Sequence, residues 1–373
     1  MHKIHFNTAI MMRKYAAKLC AGLLFLLSTS FMWAQPVAKD SSATMEKIGE
    51  GIYAILHSNA TDQWPHGNTG VIIGDSEVLV IDACYLPSRA RADIKLIQSI
   101  TKKPVKYLVF THWHFDHNNG TIAYKEAYPG ITIISERESA RWIELNAIWW
   151  SKMINAPGSN QNKELKTLED ELAKGADTTG KIFTAEEKIQ KAKIIEQRKN
   201  ELQELLNLHV VKPNKVFDKE LTITLGKRKI QLRDWGKANS PHDVTIYLPD
   251  EQILFSGDIL VQDPHPYTGA SWPVQWLPVL KQIEKIPVKT LVLGHGPVQH
   301  DHSYTKKVRE LMETVLARVE EMILQGKTLA EIQSSINFDD LQTGVWKANE
   351  DDWKYIINVL VERAWRSVRG QGG

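Results

Sequence analysis

The run Thr111-His112-Trp113-His114-Phe115-Asp116-His117-Asn118-Asn119-Gly120 packs four potential metal ligands, His112, His114, Asp116 and His117, into six residues. Imidazole nitrogen and carboxylate oxygen together suit zinc, and catalytic zinc sites keep one coordination position open for water. Trp113 and Phe115 alternate with these residues, so their bulk can hold the loop down while the polar side chains face the other way. A histidine taken alone is usually a surface or hydrogen-bonded core residue. Several ligands in so short a run point to metal instead.

The spacing THxHxDHxxG resembles the signature of the metallo-β-lactamase-like superfamily. The later motifs of that group are also present: Ser240-Pro241-His242-Asp243, Phe255-Ser256-Gly257-Asp258 and Gly294-His295-Gly296. The resemblance implies that His112, His114 and His242 hold one zinc ion and that Asp116, His117 and His295 hold a second. It places Asp258 and a hydroxide between the two, and it makes Asp82 a support for the metal loop from behind the ligands. Two zinc ions about 3.5–4 Å apart lower the pKa of a bridging water toward neutrality, which makes a nucleophile without an activated serine or cysteine. One ion polarises the electrophile while the other receives the leaving group. Asp116 and Asp258 are assigned to catalysis, Asp258 as the bridge and Asp116 also as a group that orients the nucleophile or carries its proton.

Residue 258 begins to sort substrates. A cysteine there would resemble one class of true β-lactamases and a serine another, whereas aspartate resembles the wider set of thioesterases, lactonases and other hydrolases. Export argues the other way, because a cytosolic thioester is out of reach outside the cell membrane. The expectation is an exported zinc hydrolase of an acyl bond, with cyclic amides and esters, including β-lactams and lactones, as leading substrates. A thioesterase of glyoxalase II type is one alternative, and a mononuclear iron dioxygenase on the same scaffold is another. A diiron flavoprotein is opposed by His114, where that group carries glutamate. A non-catalytic, metal-stabilised binding protein is opposed by the complete ligand set.

These ligands need strands to deliver them. Short runs rich in Val, Ile and Tyr at 51–57, 69–73 and 77–82 read as an antiparallel start. Pro87 opens a helical stretch to Ile100, and the apolar run 105–110 is a buried strand leading into Thr111. Strand patterns resume at 221–225, 229–232, 244–248 and 253–255, and a last one at 290–293 ends at Gly294. Two such halves pack naturally as an αββα four-layer sandwich of the α/β class. The catalytic domain spans residues 45–302. A helical insertion at about 151–210 reads as two helices broken around 175–180, its many charges taken as a solvated face. Residues 303–373 read as a helical C-terminal extension.

Among the aromatics, Trp64, with Pro65 and His66, lies in the loop between the first strands and is a candidate substrate contact. Trp149 and Trp150 are expected in the core, His265, Tyr267 and Trp272 form a candidate rim, and His300 and His302 read as surface residues.

The 373-residue chain carries 46 basic and 44 acidic residues. Its first 34 residues hold Lys3, Arg13, Lys14 and Lys18 and no acid, so their removal leaves 42 basic against 44 acidic residues. That balance lacks the basic surplus of a phosphate-backbone binder, so a small-molecule substrate is expected and no nucleic acid. Arg13 and Lys14, the short apolar run 19–31 and the small Ala34 read as a signal peptide, residues 1–34, and imply a periplasmic or secreted protein with no stable membrane insertion after cleavage. Cleavage would leave Cys84 alone, so core and metal rather than a disulfide hold the fold. The helical additions could pair copies into a homo-oligomer.

Overall fold

Continuous apolar runs make strands buried on both faces, and the connection between two strands decides whether they pair antiparallel or parallel. In a computed structural model, which describes residues 35–39, 42–154, 156, 159–263, 265–341 and 350–371, eight strands form the first sheet. They are β1 (Gln35–Lys39), β2 (Ala43–Gly49), β3 (Ile52–His57), β4 (Thr69–Ile73), β5 (Val78–Ile81), β6 (Val105–Val109), β7 (Thr132–Glu136) and β8 (Lys215–Phe217), side by side in chain order. Tight turns join β2 to β3 and β4 to β5, and a longer loop joins β3 to β4, so β2 to β5 run antiparallel, while β5 to β8 are parallel. The parallel pairs are joined by crossovers through α1 (Pro87–Ile100), α2 (Thr121–Ala127) and α3 (Arg137–Ile154), the last continuing into α4 (Asn160–Lys174) and α5 (Ala185–Leu206). The leader expected at residues 1–34 lies outside the described residues.

The second sheet runs β13 (Thr290–Val292), β12 (Ile253–Phe255), β11 (Val244–Leu248), β10 (Arg228–Asp234), β9 (Glu220–Leu225), with only the β12–β13 pair parallel. Helix α6 (Pro273–Ile283) makes that crossover, and α7 (Ser303–Leu324), α8 (Leu329–Ser335) and α9 (Glu350–Val368) follow.

The two-residue period of a strand divides these side chains between layers. In β5, Leu79 and Ile81 enter the core between the sheets, where they meet Ile230, Ile246 and Phe255. Val78 and Val80 turn to the other face and pack with Ile94, Ile97 and Tyr124 of the helical layer. On the far side, Leu254 and Leu291 pack with Trp276, Val308, Leu360 and Val361 from α6, α7 and α9. Three apolar cores separated by two sheets make the expected αββα sandwich. None of the described helices is long and apolar enough to cross a membrane.

The insertion helices have well-defined ends. Gly175, at φ 72°, closes α4 in the left-handed conformation that glycine adopts without strain. Thr184 and Glu187 open α5 with a reciprocal capping box. The expected solvated face is only partly right, because Arg198 and Glu201 of α5 are buried. Trp149 also departs from expectation: α3 turns it outward, 55% exposed, and the side chain of Trp150 lies outside the described residues.

Candidate metal centre

The chain ends of four parallel-paired strands, β5, β6, β12 and β13, deliver the site. Just beyond β5, Asp82 takes a positive φ of 60°, which aims its carboxylate across to the loop after β6. There it accepts hydrogen bonds from Thr111 N at 2.9 Å and Thr111 Oγ1 at 2.8 Å, and it lies 2.8 Å from His117 Nδ1. A carboxylate on Nδ1 fixes the tautomer and leaves Nε2 free to ligate, which is the supporting role expected of Asp82. Asn118 Nδ2 donates to the carbonyls of Trp113 at 2.9 Å and His114 at 2.6 Å, so the metal loop is tied to itself.

Two overlapping donor groups result. Ligand atoms of Asp116, His117, Asp258 and His295 lie within 4.8 Å of one another, and so do those of His112, His114 and Asp258. His295 Nε2 is 3.1 Å from Asp116 Oδ2 and 3.4 Å from Asp258 Oδ1, and His117 Nε2 is 3.2 Å from Asp258 Oδ1. On the other carboxylate oxygen, His112 Nε2 approaches Asp258 Oδ2 to 3.5 Å and His114 Nδ1 to 4.0 Å. Asp258 therefore belongs to both groups.

Carboxylates and imidazoles shift one another strongly here. Burial pushes the Asp116 carboxyl up, but the charge of His117 and the hydrogen bond from His295 outweigh it and hold it at about 2. Burial likewise disfavours a charged His295, yet Asp258 and Asp116 raise it to about 9. Asp258 Oδ1 is buried without a hydrogen-bond partner although two imidazole nitrogens face it. Buried carboxylates ringed by imidazoles, with an orphaned oxygen at the centre, are a donor set that fits divalent metal ions.

Six of the seven expected ligands join these groups, and His242 stays outside them. It sits between β10 and β11 with its side chain 31% exposed, Nδ1 lying 3.3 Å from Asp234 and 3.7 Å from Glu136. The hydrogen bond to Asp234 outweighs burial and raises its pKa. Carboxylates on Nδ1 are the usual way to orient a histidine that ligates through its other nitrogen.

The profile of the metallo-beta-lactamase superfamily matches residues 62–311, well over half of the chain. The chain belongs to the metallo-beta-lactamase superfamily. It is 20% identical over 263 residues to a linear primary-alkylsulfatase of a Pseudomonas species, covering 66% of this chain and 45% of that protein. Among solved structures, the stereoselective inverting sec-alkylsulfatase Pisa1 from Pseudomonas sp. superposes with a TM-score of 0.61 at 16% identity, over 87% of this chain and 50% of that one. The metallo-beta-lactamase FIM-1 from Pseudomonas aeruginosa gives 0.51 at 15% identity, over 74% of this chain and 97% of that one. The chain thus spans about half the length of the alkylsulfatases it matches, and at these identities the structural likeness concerns the fold.

Around this superfamily centre stand residues that the ligand pattern did not signal. Gly67 N donates to Asp116 O at 3.0 Å, and a Cβ on Gly67 would lie 2.4 Å from His117 Cε1. Asn68 Nδ2 donates to the carbonyls of Leu293 at 3.0 Å and Gly296 at 2.9 Å, which joins the first sheet to the His295 loop. The loop between β3 and β4 is therefore a wall of the metal centre. Trp64 on this loop is 39% exposed, with its ring 4.9 Å from Phe115. Next to it, His66 is buried, which holds its pKa at about 3, and its Nδ1 faces Tyr85 N at 3.2 Å. Of the expected rim, Tyr267 stands edge-on to His114 at 5.6 Å, while His265 Nδ1 faces the Pro266 carbonyl and Trp272 caps α6 under Lys237. His300 is exposed, and half-buried His302 places Nε2 at 2.8 Å from the Ile286 carbonyl.

A second buried polar cluster supports this wall from beneath. Asp93 lies 3.0 Å from His57 Nε2 and accepts from Arg89 Nε at 3.1 Å and from Cys84 Sγ at 3.0 Å, while His57 Nδ1 lies 2.9 Å from the Gly67 carbonyl. Burial pushes the Asp93 carboxyl up, but His57 and Arg89 outweigh it and hold it below its ordinary 3.8. A lowered native pKa contributes stability that is complete above the unfolded value and is lost as pH falls through the native one. Asp93→Asn leaves the buried Arg89 guanidinium without its carboxylate and is expected to lower unfolding free energy by about 3–5 kcal/mol at neutral pH. In urea melts the gap to wild type should narrow when the pH is taken below that of the native Asp93 carboxyl. A gap unchanged by acid would remove the Asp93 charge from this account.

Proposed function

We propose that the protein is a metal-dependent hydrolase of sulfate esters that releases an organic alcohol. The observation that carries this reading is the similarity to the linear primary-alkylsulfatase over 263 residues, 66% of this chain. Asp258 in place of cysteine or serine supports a hydrolase outside the two β-lactamase types. The acyl-bond reading, including β-lactams and lactones, becomes the competing outcome of the test.

Six residues, His112, His114, Asp116, His117, Asp258 and His295, would hold two zinc ions, with His242 completing the first set. Bound there, the metal would supply Lewis acidity toward an ester oxygen and acidify a water molecule. Asp116, held ionised across neutral pH, can accept a hydrogen bond from water and orient it. Asp82 keeps His117 in one tautomer, and Gly67 keeps its ring in place. Water and ester combine so that one ester bond breaks, the alcohol leaves with a proton and hydrogensulfate remains. Trp64, Trp142 and Tyr267, each partly exposed beside the metal loop, offer apolar contact to the organic group. On its N-terminal pattern we also propose export.

The test is turnover by the zinc-loaded protein of a panel containing decyl sulfate, a chromogenic cephalosporin, a lactone and a thioester, with metal content measured in parallel. Sulfate release at least about 100-fold faster in kcat/KM than any acyl turnover, abolished by chelator and restored by zinc, is the expected result. Cephalosporin hydrolysis without sulfate release would return the assignment to acyl bonds. One equivalent of iron in the protein as purified, before zinc loading, with oxygen consumption would move it to oxidation.

A further inference from the structure

Helix α5 buries two charges that its otherwise solvated face does not need. Arg198 is 1% exposed and Glu201 7%. Both reach the same short loop, far away in sequence. Arg198 Nη1 donates to Asp62 Oδ2 at 3.1 Å, and Glu201 Oε2 accepts from Thr61 N at 3.1 Å and from Thr61 Oγ1. The Asp62 carboxylate also accepts from Tyr85 Oη at 3.2 Å and Trp64 N at 3.1 Å. Backbone bonds close the loop, Ala60 N to Trp64 O at 2.9 Å and Gln63 N to Ala60 O at 3.0 Å. The loop ends in Trp64, whose ring meets Phe115 between the ligand residues His114 and Asp116.

A buried ion pair is a poor source of stability, because desolvation offsets its attraction, and its best-attested use is to select one arrangement over others. Here the arrangement selected is that of a single loop. Asp62 joins an insertion helix, the ring stack of Tyr85 and the backbone of Trp64 through one carboxylate. We propose that α5 is a clamp: Arg198 and Glu201 position the 60–64 loop so that Trp64 sits beside the metal loop as the specificity-determining contact for the organic group of the substrate. The chemistry of that group rests on the sulfate-ester reading, whereas the clamp itself does not. The insertion thereby belongs to the substrate site.

The test uses the full zinc-loaded protein as wild type, Arg198→Met, Trp64→Ala and the double variant. Decyl sulfonate and ethyl sulfonate, which lack the scissile ester oxygen, serve as calorimetric probes, and amide exchange is followed in the peptide spanning 58–66. Trp64→Ala should weaken decyl sulfonate at least tenfold and ethyl sulfonate less than twofold. Arg198→Met should give the same chain-length-dependent loss and speed exchange at 58–66 at least tenfold, with unchanged zinc content and unchanged exchange at 78–81. The double variant should bind no more weakly than Trp64→Ala, since one acts through the other. Arg198→Lys should recover part of the protection. Should Arg198→Met not fold, Asp62→Asn removes the same pairing with little change of shape. Unchanged exchange at 58–66, or binding losses that simply add, would overturn the clamp. If neither sulfonate binds wild type, the sulfate-ester reading fails, and the exchange result alone decides the clamp.

Discussion

Asp258→Ala is expected to release the bound metal and end turnover while both sheets stay folded. Its two carboxylate oxygens face different imidazole sets, Oδ1 toward His117 and His295 and Oδ2 toward His112 and His114, so one substitution removes a donor from both groups. Residues that only orient a ligand cost about 10–100-fold in metal affinity when lost, and a shared ligand should exceed that range. The strand that carries it keeps its packing, because Leu254 and Phe255 lie in the two apolar cores and do not touch the change. Metal analysis after gel filtration, with circular dichroism as the check on folding, measures the effect. Wild-type metal stoichiometry in this variant would refute the bridging assignment.

Gly67→Ala should damage the centre without touching a ligand. The added methyl would stand 2.4 Å from His117 Cε1 and 2.5 Å from Nδ1, closer than atoms can approach. His117 cannot easily retreat, since Asp82 lies 2.8 Å from its Nδ1. The glycine cannot retreat either, because its N–H donates to Asp116 O and Asn68 N donates to Gly294 O at 2.7 Å. Overpacking of this kind costs about 1–3 kcal/mol, and displacement of a ligand ring should weaken metal binding about 10–100-fold. Gly130→Ala is the matched control, since nothing lies within 4 Å of its Cβ position. Zinc affinity equal to wild type in Gly67→Ala would mean that the ring adapts and that the wall around His117 is not rigid.

How much was legible follows from which interactions are local. The metal loop could be read because four of its donors lie within six residues, and the strands because each is a short apolar run bounded by turns. The αββα layering followed from two such halves around an insertion. Helix α6 and strand β7 are not legible in the sequence, since Pro278 inside α6 argues against a helix there and a five-residue strand after Gly130 is too short for a periodic signal of its own. Arg198 and Glu201 looked like ordinary helix charges, for their partners Asp62 and Thr61 are 136 and 140 residues away in the chain. Trp149 looked like core for its size alone, and only the packing of α3 turned it outward.

The sequence by itself determined the donor types, their spacing in the metal loop and the alternation that makes two sheets with helices outside, because these depend on neighbours a few residues apart. Tertiary structure alone decided that one carboxylate serves both donor groups, that His242 stands apart under Asp234 and Glu136, and that a glycine and an insertion helix shape the site's wall. Those outcomes depend on distances between segments far apart in the chain, and such distances exist only once the layers have packed.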